Sequence, residues 1–240
     1  MYRINRLLLP FVVAMALVLL YSLSAPGQTP SGYVALTFDD GPVYRTSLLL
    51  TNLKNKGVRA TFFIKGDQIS KWPLRMQRIL NEGHAAENHS FTHPHLAGTP
   101  QAQYQDVLTK EQIRKEILDT NDAIVNAGGP RPTFFRPPFG EFNADVVAVQ
   151  DEEGMIQVLW NVDSGDSAPT SPTQQQICDN VVNGSQANSV VLMHDWNINT
   201  INALPCIIDG LRAKGLELGR LAVGPPPLPN VGYVRVVPWE

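Results

Sequence analysis

From residue 33 onward short apolar runs alternate with amphipathic stretches, and this alternation limits the available folds more than any other feature. Runs of strand length cover 33–38, 60–64, 84–88, 133–135, 156–160 and 190–193. Helical spacing of apolar positions covers 46–54, a stretch ending at Leu80, 110–127, 144–152 and 201–214. Gly57, Gly83 and Gly128-Gly129-Pro130 stand where helices should stop. Strand followed by helix, repeated, predicts a parallel sheet covered by helices, either a barrel or a doubly wound sheet. The 240 residues have room for one such medium domain. Residues 26–32 read as a linker, 33–222 as the main domain and 223–240 as a Pro-rich C-terminal tail, with 233–237 a candidate last strand.

Five polar motifs sit at or just beyond the C-terminal ends of the expected strands. They are Thr37-Phe38-Asp39-Asp40, His89-Ser90-Phe91-Thr92-His93-Pro94, Arg136-Pro137-Pro138-Phe139-Gly140, Asp163-Ser164-Gly165-Asp166 and Leu192-Met193-His194-Asp195. That edge of a parallel α/β fold is where sites assemble from residues remote in the chain. Adjacent acids at a strand end point to opposite faces, so Asp39 and Asp40 can serve different roles. His89 and His93 are four apart, but Pro94 disfavours a helix at the residue before it, so a loop is expected. Two neutral imidazoles and one carboxylate, here Asp40, make a three-ligand site with an open fourth position. Arg136 is a planar cation on a Pro-stiffened turn, suited to pair with a carboxylate. His194 leaves a buried-looking strand at the rim, placed to act as an acid. Together the set is what metal-assisted hydrolysis requires. His84 reads as a packed or turn histidine, and His95, outside the pair, either supports the ligands from behind or has no role.

Bulk properties narrow the partners. At 43% hydrophobic and 17% charged the chain is a folded protein rather than a disordered one. A net charge of -3 and the lack of any Lys/Arg-rich run argue against nucleic acid. Arg3 and Arg6 precede the uncharged stretch 7–23, and small residues follow around Ala25. Residues 1–25 therefore read as a secretory signal peptide, with an uncleaved anchor as the alternative. Cys178 and Cys206 are either a disulfide, as suits an exported protein, or two buried thiols.

On these five motifs the stretch 33–221 resembles the NodB-homology polysaccharide deacetylases, carbohydrate esterase family four. The resemblance implies a distorted (β/α) barrel of about seven parallel strands, with 33–222 as its catalytic domain. It also implies removal of N-acetyl groups from chitin-type oligomers or O-acetyl groups from xylan. Asp39 would then be the catalytic base. Asp40, His89 and His93 would hold a divalent metal, zinc or cobalt, that polarises the acetyl carbonyl. Arg136 would pair with Asp39, and the backbone N–H of Phe139 would bind the oxyanion. His194 would be the general acid, with Asp166 rather than Asp163 orienting it. Two positions depart from the family pattern: Phe139 stands where Tyr is commoner, and Ser167 where many members have a groove-lining Trp. Within the family the motifs look more like secreted acetyl-xylan esterases and chitin deacetylases than peptidoglycan deacetylases with large added domains. Phe142 and Trp196 are candidate sugar stackers, and Trp72 is expected in the core. The expected partner is a polysaccharide, met by a monomer, with membrane contact only if the N-terminal segment stays uncleaved. A catalytically inactive carbohydrate-binding barrel at the cell surface is the competing expectation.

Overall fold

The computed structural model describes residues 29–97, 108–170, 172–228 and 230–240. The expected signal peptide lies outside them. Seven parallel strands curl into a barrel in the order β5-β4-β3-β2-β1-β7-β6. They are β1 (Gly32–Asp39), β2 (Thr61–Ile64), β3 (Ala85–Asn88), β4 (Phe134–Phe135), β5 (Ile156–Gln157), β6 (Val162–Asp163) and β7 (Ser189–His194). The strands thus follow one another around the barrel in chain order, with a seam between β5 and β6. The helices are α1 (Thr46–Asn55), α2 (Gly66–Lys71), α3 (Pro73–Asn81), α4 (Lys110–Asn126), α5 (Ala144–Glu152), α6 (Gln174–Gly184) and α7 (Ile198–Ala213). The barrel expectation and the strand count both hold.

The two-residue period of β1 explains what faces where. Val34, Leu36 and Phe38 join the large cluster under the helices, with Leu49, Leu53, Ile79 and Leu204. The alternate residue Ala35 joins an interior cluster with Phe63, Val158 and Val190. Above it on the same face stand Thr37 and Asp39, so the barrel interior turns polar toward the C-terminal rim. A third cluster packs Ile113 and Ile117 of α4 with Val146 and Val149 of α5.

The chain corrects several expectations. The helix expected to end at Leu80 is two helices, because Pro73 cannot continue α2 and instead opens α3 at its first turn. The strand expected over 156–160 pairs only over Ile156–Gln157. Helix α7 starts three residues earlier than 201, where the Asn197 side chain accepts from Asn199 N–H. Helix α6 was not expected, although Thr173 and Gln176 form a reciprocal capping box at its start. The segment set apart as a tail, 223–240, continues β8 (Leu216–Leu228) and returns as β9 (Gly232–Pro238). Strand β8 runs parallel to the start of β1 and antiparallel to β9, so the boundary after 222 falls inside a strand. Leu221, Val234 and Val236 of this hairpin belong to the interior cluster. Trp72, expected in the core, is half-buried outside the three clusters, with the Arg75 guanidinium 4.2 Å from its ring.

Candidate active site

All five motifs reach one rim. They line a cavity of about 350 Å³ that includes Asp39, Asp40, His89, His93, Phe139 and His194. The parallel register of β1 and β7 sets Asp39 opposite His194, so these two are neighbours at one level.

Asp39 and Arg136 form the buried half of the site. Arg136 is fully buried, and its Nη1 lies 2.7 Å from Asp39 Oδ1. Three further donors reach Thr37 Oγ1 (2.8 Å) and the carbonyls of Val158 (3.2 Å) and Leu159 (3.0 Å). The guanidinium also lies 4.0 Å above the Phe63 ring. Burial pulls the Arg136 pKa down against the opposing pull of Asp39. A buried charge is tolerated when paired and hydrogen-bonded, and Arg136 has both its carboxylate and three further acceptors.

His194 is held from the other side. Its Nδ1 lies 2.7 Å from Asp166 Oδ1, and its backbone N–H donates to Asp166 Oδ2 at 2.8 Å. Thr200 Oγ1 donates to the same oxygen at 2.7 Å, and Asn197 Nδ2 to the Asp166 carbonyl at 2.7 Å. Burial works to lower the His194 pKa. The hydrogen bond and charge of Asp166, with the charges of Asp39 and Asp40, overcome it and push the pKa up to about 9. Asp163, the other acid considered for this contact, is exposed and accepts instead from Gly165 N–H at 2.7 Å.

Asp40, His89 and His93 bring one ligand atom each within 4.8 Å of one another. Asp40 Oδ1 is 3.3 Å from His93 Nε2 and 3.8 Å from His89 Nε2. Ligands about 2.1 Å from a tetrahedral ion stand roughly 3.4 Å apart, so the donor set fits a divalent metal. The surrounding bonds fit it too. His89 Nδ1 lies 2.7 Å from the Arg136 carbonyl, an arrangement that leaves Nε2 without the proton and free as a donor to metal. Asp40 Oδ2 accepts from Trp196 Nε1 at 2.8 Å, which leaves Oδ1 for the ion. Burial takes the His93 pKa down to about 4 despite the opposing pull of Asp40. A neutral imidazole is the form that binds metal. Burial raises the Asp40 pKa, but His89, His194, His93 and the Trp196 bond outweigh it and the net shift is downward.

Backbone strain gathers at this rim. Six non-glycine residues among those described have positive φ, and Asp40, Ser90, His93 and Phe139 are four of them. Such conformations cost of order 1–3 kcal/mol each and persist where surrounding contacts impose them. Phe139 is held by its neighbours, His95 stacking on it at 4.0 Å and His93 meeting it edge-on at 4.6 Å. His95, left open above, also contacts Glu141 Oε2 through Nδ1 at 2.8 Å. His84 is packed as expected, its Nδ1 accepting from Ala60 N–H at 3.0 Å. Phe142 is exposed, and Ser167 lies on the cavity wall. Trp160 also lines the cavity and was missed, since a lone Trp after an apolar run carries no local signal. Trp196, read as a sugar stacker, makes its clearest contact with the Asp40 carboxylate.

The fold and site define a class: parallel α/β barrels with an Asp-His-His cluster at the strand C-termini. The polysaccharide deacetylase family model matches residues 26–158, and the chain belongs to that family of hydrolases. A bifunctional xylanase/xylan deacetylase of Cellvibrio japonicus is 38% identical over 197 residues, covering 81% of this chain and 28% of that protein. A peptidoglycan-N-acetylglucosamine deacetylase of Bacillus cereus is 34% identical over 200 residues, covering 81% of this chain and 69% of its own length. Among solved structures, a family 4 carbohydrate esterase from Streptomyces lividans in complex with acetate superimposes with a TM-score of 0.75. It is 38% identical and covers 87% of this chain and 99% of its own. The likeness therefore reaches peptidoglycan as well as xylan deacetylases. No helix among the described residues is long and apolar enough to cross a membrane.

Proposed function

We propose that this protein is an exported, metal-dependent deacetylase that hydrolyses acetyl groups on a polysaccharide, an O-acetyl ester of xylan or an N-acetyl amide of a glucosamine polymer. One observation carries the reading: Asp39 on a buried arginine and His194 on a buried aspartate face one cavity, beside three convergent metal-binding side chains.

Asp40, His89 and His93 would hold a divalent metal, of which zinc suits the donor set, and such an ion would supply Lewis-acid polarisation of the acetyl carbonyl. Asp39, its other oxygen tied to Arg136, takes a proton from the attacking water. The water oxygen bonds to the carbonyl carbon, and the oxyanion that forms is stabilised by the backbone N–H of Phe139. As the carbon's bond to the sugar oxygen or nitrogen breaks, His194 Nε2 gives that atom its proton and acetate leaves. Asp166 keeps His194 oriented and charged through Nδ1, leaving Nε2 for the substrate.

Export is supported by the expected signal peptide at 1–25 and by the disulfide between Cys178 and Cys206, whose Cα atoms are 6.0 Å apart. The N-terminal residue of the mature protein tests it, and cleavage near Ala25 is expected. Activity is tested by acetate release from acetylated xylan, peptidoglycan fragments and chito-oligosaccharides. Release should vanish with chelator, return with zinc, and fall about 10³-fold in Asp39→Asn. A folded, zinc-loaded protein that releases acetate from none of the three would sink the proposal.

A further inference from the structure

Beyond the cavity the Trp196 wall continues into a cationic and aromatic surface that no step of the reaction uses. Arg45 Nη1 donates to the Trp196 carbonyl at 2.7 Å, and its guanidinium lies 4.7 Å from the Tyr44 ring. Next to it, Arg75 Nε donates to the Tyr44 carbonyl at 3.3 Å, with its guanidinium 4.2 Å from the Trp72 ring. Trp196, Arg45, Tyr44, Arg75 and Trp72 are therefore one unbroken run of contacts leading away from Asp40.

The chemistry of this run is specific. A guanidinium has five N–H donors in one plane, and each of these two spends one on a carbonyl. Lying on a ring fixes the plane and leaves the remaining donors at its edge. The neighbouring charges are neutralised locally, Arg78 by Glu82 and Lys71 by Asp67. Arg45 and Arg75 pair with no carboxylate among the described residues. Tyr44 is 53% exposed, so the surface is open to a ligand. Two pre-oriented forks without an acidic partner, in a chain of net charge -3, are complementary to a planar carboxylate. Because the run shares Trp196 with the cavity, the natural bearer of that carboxylate is the glycan whose acetyl group the cavity receives.

We propose that Arg45 and Arg75, each laid on an aromatic ring, form an anionic subsite beside the cavity for a carboxylate of the uronic-acid type carried by the polysaccharide. This rests on the reading of the cavity as a polysaccharide deacetylase site. The subsite selects acid-substituted over neutral stretches of one backbone and takes no part in bond breaking.

The test is calorimetric binding of a glucuronate-bearing xylo-oligosaccharide and of the neutral oligosaccharide of equal length. The protein is the full chain, zinc-loaded, as the parent, Arg75→Gln and Arg75→Glu. The parent is expected to bind the acidic ligand about fivefold more tightly, the upper range for an exposed charge pair. Arg75→Gln should remove most of that margin, Arg75→Glu should reverse it, and high salt should shrink it. Affinity for the neutral ligand should stay the same in both variants, which a merely structural role for Arg75 would not allow. Equal parent affinities, no measurable binding of the acidic ligand, or a margin that survives both variants would overturn the subsite. Acetate release from the acetylated oligosaccharides, run alongside, reports separately on the deacetylase: acid preference without release would overturn the chemistry and leave the subsite standing.

Discussion

Strands β1 and β7 lie side by side in register, and each carries an ionisable pair at its end, its last residue and the next, Asp39-Asp40 and His194-Asp195. The first of each pair faces the cavity and is held by a buried partner of opposite type, Arg136 for Asp39 and Asp166 for His194. The second members part company. Asp40 takes a positive φ and joins two histidines in the cavity. Asp195 is fully buried, with Oδ2 on Thr46 Oγ1 at 2.5 Å and Oδ1 without a hydrogen-bond partner. The comparison teaches that position alone assigns nothing. A permanent cation beside a carboxylate favours a base, a carboxylate beside an imidazole favours an acid, and a carboxyl with neither is driven toward its neutral form.

The two strand ends also differ in what supports them, and Arg136→Leu should expose this most strongly. It leaves Asp39 buried with no cation and frees two carbonyls. A loss of about 3–5 kcal/mol in urea unfolding is expected, together with loss of turnover. A variant that unfolds like the parent would show that the β1 side does not depend on its ion pair.

The β7 side leans instead on α6 and α7, which the Cys178–Cys206 disulfide joins across 28 residues of chain. Closing a loop of that length stabilises by about 3–4 kcal/mol through the unfolded state. The double Cys→Ala variant should lose about that much and keep its affinity for zinc, because the three residues proposed to hold the metal lie on other elements. Equal urea midpoints for variant and parent would remove the distinction between the two sides.

Asp166→Asn comes next and acts on His194, the proposed acid. His194 is held at about 9, so its protonated form is available below that pH and is lost as pH rises through it. Without the Asp166 charge, burial draws the pKa down, and the alkaline limb of kcat should move to lower pH with about a 10²-fold drop in rate. A limb that stays in place would show that Asp166 does not set it.

The same contrast marks how much was legible in the sequence. The polar motifs were readable because strand ends concentrate chemistry, and their five short strings all reach one cavity. The strands β4, β5 and β6 are two residues long, too short for any periodicity, so their limits were not readable. Helix α6 could have been found from Thr173-x-x-Gln176 and was not. Asp195 is the instructive case. It completes a motif, yet what surrounds it is the turn after β1, about 150 residues earlier, and no local pattern carries that contact.

Asp195 also gives the finest test of the comparison. Gly41 packs so close that a Cβ there would sit 2.2 Å from Asp195 Oδ2, so the turn after β1 lies directly on the carboxyl. Burial raises its pKa to about 7, with the Thr46 bond opposing only in part. An unfolded aspartate titrates near ~3.9, so between there and about 7 the folded chain binds the extra proton. Stability from this site is then fully present at low pH and falls as pH rises through that window, with a slope of up to about 1.4 kcal/mol per pH unit. Asp195→Asn has no proton to lose, so its unfolding free energy should gain steadily on the parent's between those limits and run parallel above them. Urea melts at several pH values decide the matter. Two curves parallel throughout would mean that Asp195 is as ionised as Asp40, and that the two strand ends do not differ in the way their surroundings require.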